Sequence, residues 1–323
     1  MANPQRVFVG TSGWTYPHWR ARFYPAGLPS RRWLAFLASR LTSVEINGTF
    51  YSLTTPKACE RWRQDVPGNF VFAVKGSRYI THMKRLRSVR AALANFFASG
   101  ILRLGSQLGP ILWQLPPHLP FDAASAGEFL RKLPRDVRGA ERLARRHDAR
   151  VAGRAALTAP DGRGRAVWYA IEARHRSWMS EPAISLLSRW DVALVWADTA
   201  GEHPATTTQT TGSLAYVRLH GSQRIYEGHY AVHDLSSWAR RARAWALEGT
   251  PVFVYFDNDR GAAAVLDAIR FHALLERGSS ETDRKPARRL RAPRRARPRP
   301  AHFRFDFGRT DRRGTASSTA TTR

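Results

Sequence analysis

Cysteine is almost missing from this chain: Cys59 is the only one in 323 residues. A disulfide framework and a multi-cysteine metal site are thereby excluded, and the composition suits a reducing compartment. No run approaches the roughly 18 consecutive apolar residues of a membrane-spanning helix. Met1 to Arg6 lead straight into a short apolar strand, without the longer apolar stretch and small-residue cleavage site of a secretory signal. The expectation is a soluble cytoplasmic protein with no membrane partner. Acidic residues are scarce, 25 against 52 basic, for a formal net charge of +27. Lysine is scarce too, with five against 47 arginines, a skew that GC-rich coding produces without selection for phosphate binding. Residues 278–323 hold 14 basic and 4 acidic side chains, so ten of the 27 charges belong to that stretch. Net charge bears on association and not on fold, so nucleic acid is a candidate partner on that ground alone.

Eight short β-type runs follow one another: Val7–Gly10, Ser43–Asn47, Asn69–Lys75, Ile111–Leu115, Val167–Glu172, Val192–Ala197, Leu214–His220 and Val252–Asp257. Apolar-periodic helical segments separate them, among them Arg31–Leu41, Pro56–Asp65, Ser88–Leu102, Ile184–Arg189, Leu235–Leu247 and Gly261–Leu275. Strand–helix alternation implies parallel strands, because parallel neighbours need a crossover connection. Eight such units in about 275 residues predict a closed (β/α)8 TIM-type barrel over residues 1–277. A doubly wound open sheet is the alternative, but no Gly-rich dinucleotide fingerprint follows any strand. Leu133–Arg165 departs from the alternation and reads as one or two helices plus a loop. From Gly278 the composition turns to Arg, Pro, Ala, Ser and Thr, which predicts a disordered basic tail over 278–323.

In such a barrel the outward strand faces meet helices and must be apolar, so polar side chains point inward or sit at the rim. Period two places Glu45 and Asn47 on one face of the second strand, and Arg218 and His220 on one face of the seventh. The other strand ends carry Lys75 with Arg78 and His82 behind it, then Gln114, Glu172 with Arg174 and His175, Asp198, and Asp257 with Asn258. Polar groups at the C-terminal ends of strands are where barrel sites are built. The plainer alternative is structural ion pairing, such as Glu45 with Arg218 or Glu172 with Arg174. Aromatic residues thicken the same rim: Trp14, Tyr16, Trp19, Phe50, Tyr51, Trp178, Tyr226 and Tyr230. Flat faces beside charges suit a sugar, a base or another planar polar ligand; rim packing is the competing explanation.

Three kinds of activity fit these residues. In an enzyme acting on a polar, anionic or sugar-like small molecule, Glu45, Glu172 and His220 are the catalytic candidates, the two glutamates as acid and base. Lys75, Arg174 and Arg218 would hold the charged part of the ligand, and a Schiff base at Lys75 is a variant. A metal-dependent phosphoesterase or nuclease-like barrel is the second, although no HxH or HExxH spacing orders the His, Asp and Glu residues, so no metal ligand is assigned. A nucleic-acid-binding module without catalysis is the third. The sequence assigns no cofactor and no oligomeric state.

The runs Gly10-Thr11-Ser12-Gly13-Trp14, Glu45-Ile46-Asn47-Gly48-Thr49-Phe50-Tyr51 and Lys75-Gly76-Ser77-Arg78-Tyr79-Ile80-Thr81-His82 resemble the YecE-like family, a domain of unknown function. So do Leu108-Gly109-Pro110 through Gln114-Leu115-Pro116-Pro117, then Glu172-Ala173-Arg174-His175-Arg176-Ser177-Trp178, Tyr216-Val217-Arg218-Leu219-His220-Gly221 and Tyr255-Phe256-Asp257-Asn258-Asp259. The blocks keep the family's order across roughly residues 6–277. The resemblance implies a TIM-type barrel and carries no activity, substrate or cofactor with it.

Overall fold

A computed structural model of the chain describes residues 7–203 and 210–282. The strands among them are β1 Val7–Thr11, β2 Ser43–Ile46, β3 Val71–Lys75, β4 Leu108–Gln114, β5 Tyr169–Glu172, β6 Val192–Leu194, β7 Trp196–Asp198, β8 Ala215–Leu219 and β9 Val252–Phe256. Helices lie between them: α1 Trp33–Ala38, α2 Pro56–Gln64, α3 Arg90–Ala98, α4 Ala123–Lys132, α5 Val137–Ala144, α6 Glu181–Arg189, α7 Val232–Leu247 and α8 Ala263–Thr282. Every strand pair is parallel, as crossover helices require.

The hydrogen bonds draw two sheets, ordered β1-β9-β8-β7 and β2-β3-β4-β5-β6, and not the one closed sheet that the alternation predicted. Each seam has a local cause. Between β1 and β2 the Val9 amide donates to the Thr42 hydroxyl at 2.9 Å, and the Thr42 amide donates to the Val9 carbonyl at 3.2 Å. A threonine side chain thus stands where a strand partner would be, and in place of a ladder the two strands have the isolated Ser12–Glu45 bridge. Only glycine fits at Gly10 here, since a Cβ would lie 2.3 Å from the Ser43 carbonyl oxygen. At the other seam the single expected strand Val192–Ala197 divides at Val195. The Leu194 amide donates to the Thr211 hydroxyl at 2.7 Å, and that hydroxyl donates to the Val192 carbonyl at 2.7 Å.

Period two separates the faces of the strands. Val44, Phe72, Val74, Ile111, Trp113, Ile171, Val217, Val254 and Phe256 join an apolar cluster with helix residues such as Leu93, Phe97, Phe129, Leu187 and Phe271. The opposite faces of both sheets share a second cluster of Ala73, Leu112, Ala170, Ala193, Val195, Tyr216, Phe253 and Tyr255. The expected helix Ser88–Leu102 stops at Ala98, and a 3-10 segment, Ile101–Gln107, follows Gly100. Leu133–Arg165 supplies α5, one 3-10 turn and a loop tied down by Arg165, which donates to the carbonyls of Ser106 and Leu108 at 2.5 and 3.1 Å. α8 continues to Thr282, five residues into the stretch 278–323 expected as a basic tail; residues 283–323 lie outside the described residues.

Candidate functional site

Along the face that carries the second cluster, six of the strands turn polar toward or just past their C-terminal ends. β2 reads Ser43, Glu45, Asn47; β3 Ala73, Lys75; β4 Leu112, Gln114; β5 Ala170, Glu172. β8 reads Tyr216, Arg218, His220, and β9 Phe253, Tyr255, Asp257. Successive same-face residues therefore stack an apolar layer beneath a charged one. Gly76 holds the β3 end in place, since a Cβ there would come within 2.2 Å of the Trp113 ring.

Arg218 is the centre of the charged layer and is wholly buried. Its Nη1 donates to Glu172 Oε2 at 2.5 Å, and its Nη2 donates to Glu45 Oε1 at 2.9 Å, Ser12 Oγ at 2.9 Å and Asp257 Oδ2 at 3.1 Å. Glu45 also accepts from Ser12 Oγ and from the Tyr216 hydroxyl, each at 2.6 Å. His220 Nε2 lies 3.1 Å from Glu172 Oε1. Its Nδ1 stands 2.9 Å from Asp257 Oδ2, close enough for an ion pair though off the hydrogen-bond line.

The titration of the layer follows from this geometry. Burial would raise the carboxyls of Glu172 and Asp257, but the Arg218 charge and His220 hold both well below the usual carboxylate range. Burial would lower His220, yet the Glu172 charge and contacts to Asp257 raise it above the ordinary histidine value. Both structural pairs foreseen from sequence, Glu45 with Arg218 and Glu172 with Arg174, are present. Glu45, Glu172 and His220, the three candidates for catalysis, thus lie together, buried and already bonded.

A second tier borders the layer. Lys75 is 6% exposed, and its ammonium sits 4.6 Å from the centre of the Phe50 ring. Among the described residues no carboxylate, hydroxyl or carbonyl oxygen bonds to its Nζ. Burial, and then the Arg218 charge, lower its pKa. His82 packs edge-on to the same Phe50 ring at 5.1 Å, with its Nδ1 2.9 Å from the Thr81 hydroxyl. Burial and the charges of Arg174, Lys75, His118 and Arg78 push His82 down to about 4, so it is neutral near neutral pH. Arg174 donates to Glu172 Oε1 at 3.4 Å and to the Tyr226 hydroxyl at 3.3 Å.

Beside this tier lies a cleft of about 770 Å³, to which the loop after β1, the end of β2 and the helices α1 and α2 all contribute. Trp14, Tyr16, Asn47 and Tyr51 line it together with Arg31, Lys57, Arg61 and Trp62. The last four were not foreseen; the only signal was an indole amid the charges of α2. Tyr216 and Ser12 were also missed as members of the network, although Tyr216 shares the Arg218 face two residues upstream.

Other expected ligand-binding residues have structural partners. Trp178 is buried, donates to the Leu119 carbonyl at 3.1 Å and packs on Phe121. Asn258 donates to the Gly228 carbonyl at 2.7 Å and to Asp267 Oδ2 at 2.9 Å, clamping the loop before α7 to α8. The His175 ring accepts from the Ser177 amide and caps a 3-10 turn. Asp198 accepts from the Ala200 amide at 3.3 Å, and its carboxyl is raised, chiefly by burial. Gln114 lies opposite Glu172 in the β4–β5 register. Arg78 is exposed. Among the described residues no three His, Cys, Asp or Glu side chains form a group able to hold a metal ion, and no helix is long and apolar enough to cross a membrane. Cys59 is buried, with its thiol pushed up to about 12.

Fold and site together define a parallel-strand α/β protein whose charged residues gather at the C-terminal ends of its strands. The chain belongs to the family described as Protein of unknown function DUF72, which matches residues 8–291. It is 20% identical over 298 residues to the UPF0759 protein YunF of Bacillus subtilis, covering 84% of this chain and 95% of that one. Over 129 residues it is 28% identical to the UPF0759 protein YecE of Escherichia coli, covering 40% of this chain and 44% of YecE. A crystal structure of a DUF72 family protein from Thermotoga maritima is similar at a TM-score of 0.65 and 23% identity, covering 84% of this chain and 99% of the other. A DUF72 family protein from Enterococcus faecalis is similar at a TM-score of 0.63 and 18% identity, covering 84% and 95%.

Proposed function

We propose that the charged strand ends bind a small polar anion, a carboxylate or phosphate ester, with the two sheets acting as arcs of one β/α barrel. The observation that carries this reading is Lys75. An ammonium on a side chain only 6% exposed has little water to stand in for a missing acceptor, and the carboxylates near Lys75 are already engaged by Arg218 and His220. An anionic ligand supplies the missing partner. Arg174, with two of its nitrogens on Glu172 and one of them also on Tyr226, adds a second positive contact, and the neutral His82 adds a hydrogen bond. In this reading Glu45 and Glu172 hold Arg218 and His220 in place and take no part in proton transfer, because their oxygens are already engaged.

Thermal melts at constant ionic strength test it. Oxalate, inorganic phosphate and glycerol 3-phosphate should raise the melting temperature of the wild type, whereas glycerol and glucose should not. Lys75→Met, checked for fold by circular dichroism, should abolish the anion-dependent rise. Neutral polyols stabilising as well as anions would overturn the reading, and so would an undiminished anion response in Lys75→Met.

A further inference from the structure

The neighbourhood of Lys75 has a chemical consequence beyond holding an anion. Of the five lysines, Lys57 and Lys84 are exposed and Lys132 donates to Glu128 at 2.5 Å. Lys75 alone among the described lysines is buried at a strand end, its amine resting on an aromatic face with no oxygen acceptor. An amine becomes a nucleophile when its lone pair is free, and desolvation on an apolar surface is one way to free it. The charges of Glu45, Asp257 and Glu172 favour a cation at this position, while burial disfavours one. An iminium carbon–nitrogen unit satisfies both demands better than an ammonium, since it keeps the charge but spreads it over a larger, less hydrated group.

We propose that Lys75 captures the carbonyl carbon of an anionic oxo compound, an oxo acid or a phosphorylated aldehyde, as an imine. This rests on the anion-binding reading and names the class of ligand. The Nζ lone pair forms a bond to the carbonyl carbon while the carbonyl π electrons move to oxygen. The resulting carbinolamine loses that oxygen as water, so ammonium plus carbonyl gives iminium plus one water, with nothing oxidised or reduced. Arg174 faces the anionic end of the ligand, and Asp257 and Glu172 compensate the iminium charge.

The test uses the full-length protein with glyoxylate, pyruvate and glyceraldehyde 3-phosphate, each reduced in place with borohydride and read by intact mass and peptide mapping. Calorimetry with glycolate, lactate and glycerol 3-phosphate, which lack the carbonyl, runs alongside. One adduct at Lys75, at least tenfold above that at Lys57, Lys84 or Lys132, is expected. It should be absent in Lys75→Arg, which keeps the charge. Labelling of the exposed lysines with none at Lys75 overturns the imine; if the carbonyl-free anions still bind, anion binding stands without it. If these anions fail to bind and Lys75 is unlabelled, both fail. An adduct at Lys75 that forms equally with neutral acetone keeps the reactive amine but overturns the anionic ligand class.

Discussion

Arg218 and Arg61 carry the same guanidinium into opposite surroundings. Arg218 is closed off from water and distributes its two terminal nitrogens over Glu45, Glu172, Asp257 and Ser12. Arg61 lines an open cleft, its side chain more than half exposed, with Asp65 one helical turn away at 3.6 Å. In the first case three carboxylates and a hydroxyl meet both terminal nitrogens, leaving only the buried Nε without a partner, so removing the guanidinium exposes unbalanced charges. In the second, water screens the pair and replaces it when lost. A group's worth here is therefore set by what it leaves behind, and the two regions should respond to substitution very differently although they lie beside each other.

The largest expected effect tests that contrast directly. Arg218→Met leaves three buried carboxylates facing one another and should cost about 3–5 kcal/mol of unfolding free energy. Arg61→Met should stay within about 0.5 kcal/mol of the wild type. Urea denaturation followed by tryptophan fluorescence reads both. A cost below about 1 kcal/mol for Arg218→Met would mean that water reaches the layer and that the contrast is absent.

Stability against pH gives the next effect. Glu172 and Asp257 have folded pKa values below their unfolded ones, so their contribution is complete above about pH 4.5 and is lost as pH falls toward the folded values. His220 is shifted the other way. Its contribution is complete below about pH 6.5 and is lost as pH rises through the raised folded value. The two requirements overlap between about pH 4.5 and 6.5, where the layer's own contribution is greatest, while His82, held down to about 4, opposes it there because its neutral folded form costs stability below about pH 6.5. His220→Gln should flatten the alkaline limb and leave the acid limb in place. An unchanged alkaline limb in that variant would assign it to another group.

Sequence periodicity reached the charged layer because the layer is a period-two phenomenon. Glu45 with Asn47, and Arg218 with His220, share faces by counting alone, and their register neighbours do lie on the same side of the sheets. Counting could not find the two seams. Thr42 and Thr211 interrupt the ladders through their hydroxyls, and nothing in the sequence separates a threonine that bonds a strand amide from one that merely follows a helix. The cleft was illegible for a related reason. Trp62 shares the apolar face of α2 with Ala58 and Cys59, so periodicity assigns it to the core and Arg61 beside it to solvent, and only tertiary placement beside Trp14, with rings 5.4 Å apart and perpendicular, makes them a wall. Trp178 shows the converse, since the rule that aromatics near strand ends line a mouth is overridden where a carbonyl and a neighbouring ring complete a packing site.

The smallest effect concerns whether the two regions act as one site. Tyr51 is 68% exposed and lines the cleft, while its ring stands edge-on to Phe50, the residue beneath the Lys75 amine. Tyr51→Ser removes no buried contact of consequence, so stability should change by no more than about 0.5 kcal/mol. Phosphate-dependent melting should also be unchanged if the cleft is separate from the Lys75 pocket. A weaker response at unchanged stability would join them through Phe50, because only a ligand spanning both could register the loss of a solvent-facing ring. Asn47 makes that outcome worth measuring: it lines the cleft, shares the Glu45 face, and its buried Oδ1 accepts no hydrogen bond from the described residues. A donor arriving from the cleft would satisfy that oxygen, and Asn47→Leu would then weaken binding together with Tyr51→Ser, whereas independence of the two substitutions would keep the regions apart.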